Sequence, residues 1–197
     1  MSYVLIIIYI FFTIGHVLLY LNKKESYLFV FITSVLLFFL MSGHEYVGNG
    51  DGIDFITYEN SYISFDILNL KDFWFYYLFY SAERIGIYYS LNYFQWWAVM
   101  TALSLIFIIT TIIKRRYNPH LFFFFFIIYY VFVFYGGLKF FYGFVLFQYA
   151  FTFLIKDEKG GKLKFILLTL LAGGFHVMYY IFLVFGFVNL KIKNRKY

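Results

Sequence analysis

The chain has 197 residues, a net charge of +6 and no cysteine. Hydrophobic residues make up 63% of it, charged residues only 13%, and the mean hydropathy is +0.78. This composition excludes an ordinary soluble domain, and the lack of cysteine excludes disulfides, thiolate nucleophiles and Cys-ligated metals. Because the basic residues form short clusters between apolar runs, they indicate membrane topology rather than a nucleic-acid-binding surface.

Six apolar runs predict an all-α fold: a polytopic membrane bundle of about six or seven helices, forming one domain over residues 1–197. A span needs roughly 20 apolar residues. The second run is therefore short and the last one long, and a turn near residues 173–176 is an alternative to one long final helix. The predicted helices cover about 2–21, 27–42, 85–113, 120–138, 140–155 and 165–190.

The basic clusters predict how the chain is oriented. Lys and Arg crowd cytoplasmic connections, and "NKKES", "KRRYNP" and "KDEKGGKLK" all fall on the cytoplasmic side if the N-terminus is outside. Residues 43–84 and the segment "GGLK" then lie on the exterior side. The basic tail "KIKNRKY" fits this orientation only if the last run contains the turn.

Residues 43–84 are predicted to form an acidic exterior loop. Seven of the ten acidic residues of the chain lie there, against two basic residues. The stretch "FDILNLKDFWFYYLFY" mixes polar residues with Trp and Tyr, which is typical of a short helix at a membrane interface. The loop is therefore expected to be net negative and partly interfacial.

The loop begins with the polar, glycine-rich segment "GHEYVGNGDGIDF". A calcium loop of the EF-hand type is excluded, because its two anchoring carboxylates would be replaced by Val47 and Tyr58. The remaining interpretations are a flexible exterior turn and a functional segment. We predict no metal and no other cofactor.

Ionisable residues at helix ends and inside apolar runs are candidates for function. Glu83 and Arg84 either favour a helix start through the dipole or stand at the exterior mouth of the bundle. Lys139 either snorkels at a helix end or presents a cation to a phosphate. His176, inside the last run, is either a neutral histidine bonded to a carbonyl or a functional group.

His16 and His120 have no other candidate functional residue near them in the sequence. His16 lies on the first predicted helix, and His120 lies at a cytoplasmic edge. We interpret both as structural.

The order of these features resembles the EpsG family of multi-pass membrane proteins, the Wzy-like polymerases of O-antigen and exopolysaccharide repeat units. Four stretches carry the resemblance: "GDGIDFITY", "ERIGIYYSL", "YGGLKFFYGFVLFQYA" and "LLAGGFHVMYYIF". Lys139 and Phe140 stand where the family tends to have an Arg-Gln pair, and Gly143 stands at a family alanine. Family members are usually longer, so we expect an N-terminal portion or a short homologue.

The resemblance implies transfer of an undecaprenyl-diphosphate-linked glycan onto a lipid-linked repeat unit. Implied catalytic residues are Asp54, Glu45 and His176. The residues implied to bind diphosphate or sugar are Lys139, Arg84, Tyr58, Glu83 and His44. A lysine supplies charge to the diphosphate but lacks the bidentate fork of arginine.

The implied partners are the lipid-linked oligosaccharide and membrane lipid, with a chain-length regulator or other polysaccharide assembly proteins as candidates. We expect no nucleic acid partner. The implied location is the cytoplasmic membrane of a bacterium, with the active side facing the exterior or periplasm. A flippase for a lipid-linked sugar and a non-catalytic truncated membrane protein are the alternatives.

Overall fold

The computed structural model describes residues 3–42, 59–60, 62–63, 76–115, 117–134, 138–155 and 159–187. Within these ranges, apart from the helical residues 59–60 and 62–63, the chain forms eight α-helices and one 3₁₀ helix, and it contains no β-strand. The all-helical part of the predicted fold class is thereby confirmed. The helices are α1 (Tyr3–Leu21), α2 (Tyr27–Ser42), α3 (Tyr77–Tyr88), α4 (Tyr93–Arg115), α5 (Pro119–Phe134), α6 (Leu138–Ile155), α7 (Gly161–Gly173), the 3₁₀ helix (Val177–Leu183) and α8 (Val184–Phe187).

One helix of the described residues, α4, is long and apolar enough to cross a membrane. It has 23 residues, and its mean hydropathy reaches 2.1. Five shorter apolar segments of 10–17 residues accompany it: Ile10–Leu21, Tyr27–Phe39, Pro119–Ile128, Lys139–Ile155 and Val177–Phe187. These segments fit a membrane location, and the number of crossings stays a prediction.

The sequence predicts a single helix over about 85–113, whereas the structure has parts of two helices in this run. α3 begins at Tyr77, inside the residues assigned to the exterior loop, and it ends at Tyr88. Ser90 then takes a left-handed conformation with φ 56°, and the amide of Leu91 donates to the carbonyl of Gly86 at 3.0 Å. Such a left-handed residue ends a helix by satisfying its last carbonyls. The residues "SLN" of this turn barely lower the hydropathy averaged over the run, so the break between the two helices is not detected from hydropathy.

The chain divides into two compact units, Met1–Ile56 with Phe94–Gly137 (unit 1) and Thr57–Tyr93 with Leu138–Tyr197 (unit 2). In unit 1, α1 and α2 pack against α5. Ser26 caps α2 by accepting the amide of Phe29 at 3.2 Å. The side chain of Asn118 accepts the amides of His120 and Leu121, each at 3.0 Å, so α5 begins with a side-chain cap and a proline.

In unit 2, α6 packs against α7, and the 3₁₀ helix packs against both of them. Their core contains the buried side chains of Ala150, Leu154 and Phe165. The hydroxyl of Tyr179 donates to the carbonyl of Phe140 at 2.8 Å. A Cβ atom on Gly143 would collide with the Tyr179 ring, so close packing of this ring requires glycine there.

Candidate functional site

The start of α3 is held by the turn that follows α7. This turn occupies residues 174–176, where the sequence analysis placed the alternative division of the last run. The carbonyl of Gly174 accepts the amides of Leu78 at 2.9 Å and Phe79 at 3.4 Å. The Tyr77 hydroxyl donates to the carbonyl of Leu170 at 3.4 Å. These bonds satisfy first-turn amides of α3 and bring it next to His176.

Lys139, in the first turn of α6, meets the aromatic side chains at the start of α3. Its Nζ atom lies 4.2 Å from the ring centroid of Tyr76, 4.8 Å from that of Tyr80 and 5.1 Å from that of Phe79. Nζ also donates to the Tyr80 hydroxyl at 3.3 Å. Cation–π contacts hold an ammonium without neutralising it. Lys139 is therefore oriented by rings while it keeps its positive charge.

Glu83, on α3, is a carboxyl group inside unit 2. Its side chain is 0% exposed, and neither carboxylate oxygen has a hydrogen-bond partner among the described residues. Burial raises the pKa of Glu83 to about 8, against the opposing effect of the Lys139 charge. A raised pKa of this origin is typical of carboxyl groups that transfer protons near neutral pH. At this pKa Glu83 is mainly protonated at pH 7.

His176 lies in the turn before the 3₁₀ helix and is half-buried. Its Nδ1 atom accepts the amide of Met178 at 3.3 Å, and its ring centroid lies 5.3 Å from that of Phe140 and 5.9 Å from that of Tyr76. Burial and the Lys139 charge lower the pKa of His176. The imidazole is therefore neutral, and because Nδ1 accepts, its proton is on Nε2. His176 is thus arranged to donate a hydrogen bond from Nε2.

The predicted site residues fall into three groups. Lys139 and His176 both contact Tyr76 at the start of α3, and the Lys139 charge acts on both Glu83 and His176, so these three residues come together in unit 2. Arg84 follows Glu83 on the same helix, but its side chain is exposed, beside Ile85 and Tyr88. The remaining predicted site residues lie outside the described residues: His44, Glu45, Asp54 and Tyr58.

Sequence reasoning missed the aromatic partners of Lys139. Tyr76, Phe79 and Tyr80 belong to "FWFYYLFY", which was assigned only to an interfacial helix. Their spacing of three and four residues places them on one face of α3 and is a signal in the sequence. The lysine that this face meets is far away in the chain, so the contact itself had no local signal.

The described residues contain no group of three or more His, Asp or Glu side chains arranged to hold a metal ion. The described part of the site offers one cation, one buried carboxyl and one neutral imidazole.

Comparison with known proteins agrees with the resemblance noted in the sequence. The family model described as EpsG family matches residues 27–197. No curated protein and no solved structure matches the chain significantly. The matched segment contains α2 to α8 and all three members of the unit 2 cluster. Since the family model covers most of its length, the chain belongs to the EpsG family.

Proposed function

We propose that the chain is a membrane polymerase that extends an O-antigen, a capsule or an exopolysaccharide. The glycan on one undecaprenyl diphosphate is transferred to a sugar hydroxyl of another lipid-linked repeat unit, on the exterior face of the bacterial cytoplasmic membrane. The observation that carries the proposal is the cluster of Glu83, Lys139 and His176 in a chain of the EpsG family.

The transfer makes one bond and breaks one. The attacking hydroxyl oxygen bonds to the anomeric carbon, while the bond from that carbon to the diphosphate oxygen breaks and leaves its electron pair on the diphosphate. The hydroxyl proton needs an acceptor, and the leaving oxygen needs positive charge or hydrogen-bond donors. Two lipid-linked reactants thus require a cation and a base in one place.

Lys139 suits the leaving diphosphate because its ammonium group supplies a positive charge and hydrogen-bond donors. The rings of Tyr76 and Tyr80 keep its Nζ in place through contacts at 4.2 and 4.8 Å. The Nε2–H group of His176 adds a neutral donor for a diphosphate or sugar oxygen.

In its ionised form Glu83 suits the role of proton acceptor, because a base is most effective when its pKa lies near the working pH, and a pKa of about 8 leaves a fraction of this carboxyl ionised near pH 7. It is enclosed by protein, so this role requires neighbouring side chains to move when the acceptor sugar enters. Asp54, Glu45, His44, Tyr58 and Arg84 stay predicted contributors.

The test is complementation of a bacterial strain that lacks its polysaccharide polymerase. Lys139→Gln should remove long glycan ladders, with a fall in polymerisation of about 10²-fold or more. The matched control is Lys164→Gln, because Lys164 is exposed on α7 and its Nζ also lies over a ring, 5.2 Å from the centroid of Phe153. The control should leave the ladders unchanged.

Two results would overturn the proposal. Unchanged ladders with Lys139→Gln, at equal protein level in the membrane, would show that Lys139 has no part in the transfer. Accumulation of inward-facing lipid-linked repeat units when the chain is lost would indicate a flippase.

A further inference from the structure

A second cluster of polar side chains lies inside unit 1. His16 on α1 and His120 on α5 are both 0% exposed, and their Nδ1 atoms are 3.0 Å apart. The Nε2 atom of His16 lies 3.0 Å from the hydroxyl of Thr33, on α2. The residues come from three helices and are as much as 104 positions apart in the chain. This cluster shares no residue with the candidate site in unit 2.

The direction of every hydrogen bond in this cluster follows from one backbone group. The amide of Ser26 donates to Nε2 of His120 at 3.0 Å, and an amide can only donate. His120 therefore carries its proton on Nδ1 and donates it to Nδ1 of His16. His16 in turn carries its proton on Nε2 and donates it to Thr33.

The chain of bonds ends at a second backbone group. The Thr33 hydroxyl accepts from His16 and donates to the carbonyl of Phe29 at 2.8 Å. Each hydrogen bond of the cluster thus has an assigned donor and acceptor. Each imidazole carries one proton, so both are neutral. Both ends of this series of hydrogen bonds are therefore backbone groups.

We propose that His16, His120 and Thr33 form a proton-sensitive clasp that fastens α1 and the beginning of α2 to α5. A proton added to either imidazole turns an acceptor nitrogen into a donor. For His16 this sets two N–H groups face to face across 3.0 Å, and for His120 it sets an N–H group against the Ser26 amide. The clasp is closed when both histidines are neutral and opens when one of them is charged.

Rings and charges around the clasp favour this assignment. The His16 ring stacks on Phe123, with centroids 5.5 Å apart and planes at 18°, and Phe29 meets its edge at 4.8 Å. Helices α1, α2 and α5 contain no Asp, Glu, Lys or Arg. The charged groups nearest in the chain are Lys23, Lys24 and Glu25 of the α1–α2 turn, near His16, and Lys114, Arg115 and Arg116, which precede His120. Of these, Glu25 acts electrostatically on His120.

The direct test is nitrogen NMR of the full chain labelled with ¹⁵N-histidine, in lipid nanodiscs at pH 7.5. We expect His120 as the Nδ1–H tautomer, His16 as the Nε2–H tautomer, and a ¹⁵N–¹⁵N coupling between their Nδ1 atoms. On acidification, the charging of either ring and the loss of this coupling should coincide. Single His16→Gln and His120→Gln variants assign the signals. A charged ring at pH 7.5, the opposite tautomers or independent titration of the two rings would overturn the clasp.

A matched pair of threonine variants tests the stabilising role. Thr111, on α4, is buried like Thr33 and likewise donates to the carbonyl four residues earlier, that of Phe107, at 2.8 Å. Both valine variants lose the hydroxyl bond to the carbonyl four residues earlier, but Thr33→Val also removes the acceptor of His16. The Tm of the Thr33→Val protein should therefore fall by roughly 5 °C more than that of the Thr111→Val protein. Thr33→Ser should retain most of the stability. Equal falls for the two valine variants would contradict the clasp.

Discussion

One polar cluster of unit 1 and one of unit 2 are hydrogen-bonded in different ways. In unit 1, the imidazoles of His16 and His120 and the hydroxyl of Thr33 form a continuous series of hydrogen bonds between two backbone groups. In unit 2, Glu83 has no hydrogen-bond partner among the described residues, and Lys139 lies over the faces of three aromatic rings.

This difference in hydrogen bonding suggests that the unit 1 cluster serves stability and the unit 2 cluster serves the reaction. A buried polar group that is fully hydrogen-bonded costs little, whereas an unsatisfied one lowers stability. Groups with spare hydrogen-bonding capacity or a perturbed pKa concentrate at functional sites. Changes in unit 1 should therefore alter mainly the free energy of unfolding, and changes at Glu83 or Lys139 should alter mainly activity.

The largest expected effect is that of Glu83→Gln on polymerisation. The amide keeps the shape of the side chain but cannot accept a proton, so the rate should fall by about 10²–10⁴-fold. Glycan ladder length in a complemented strain measures this loss. Glu25→Gln is the control, because Glu25 is exposed and its carboxylate contacts the hydroxyl of Tyr27 at 3.3 Å. Normal ladders with Glu83→Gln would show that Glu83 is not needed for polymerisation, and the proposed contrast in role between the two units would be wrong.

The same substitution should raise stability with a defined pH dependence. The pKa of Glu83 is raised from 4.5 to about 8 in the folded chain, so between these values the unfolded chain loses this proton first. Folding stability therefore falls as pH rises from 4.5 to 8, and then levels off. Glu83→Gln should cancel this fall.

Thermal unfolding of the purified chain at several pH values tests this prediction. The Tm of Glu83→Gln should exceed that of the unsubstituted chain by about 5 °C at pH 8, and the gap should close towards pH 5. A variant that is less stable at pH 8 would mean that the carboxylate is well satisfied in the fold.

Substitution of Tyr76 tests how Lys139 is oriented. Tyr76→Leu removes the ring that lies 4.2 Å from Nζ, and a cation–π contact of about 1 kcal/mol corresponds to roughly a fivefold loss of polymerisation. Tyr76→Phe keeps the ring face and should retain activity close to the original. Equal losses for the two variants would assign the effect to the hydroxyl instead of the ring.

The smallest effect is expected at the helix cap of α5 in unit 1. Asn118→Ala leaves the amides of His120 and Leu121 without their side-chain acceptor, which costs about 1 kcal/mol and lowers Tm by about 2–4 °C. Asn22→Ala, at an exposed bond to the carbonyl of Leu18, is the control and should change Tm less. A large loss of polymerisation by Asn118→Ala at unchanged protein level would show that unit 1 takes part in the reaction.

The sequence by itself determined the helical class, the family and three ionisable residues of the candidate site. In an apolar chain every charge stands out, so Glu83, Lys139 and His176 could be selected without knowledge of their contacts. The resemblance to the EpsG family rested on four short stretches, and the family model then matched residues 27–197. Hydropathy alone failed at the turn around Ser90, because the four-residue interruption over 89–92 barely changes the average.

Only the tertiary structure decided which of these residues act together. Glu83 and Arg84 are neighbours in the chain, yet one is buried and the other exposed, because successive helical residues point about 100° apart and packing selects the buried face. His16 and His120 each resembled an isolated structural histidine, and their bond exists because α1 packs on α5. Contacts between distant residues depend on helix packing, and no local pattern in the sequence records it.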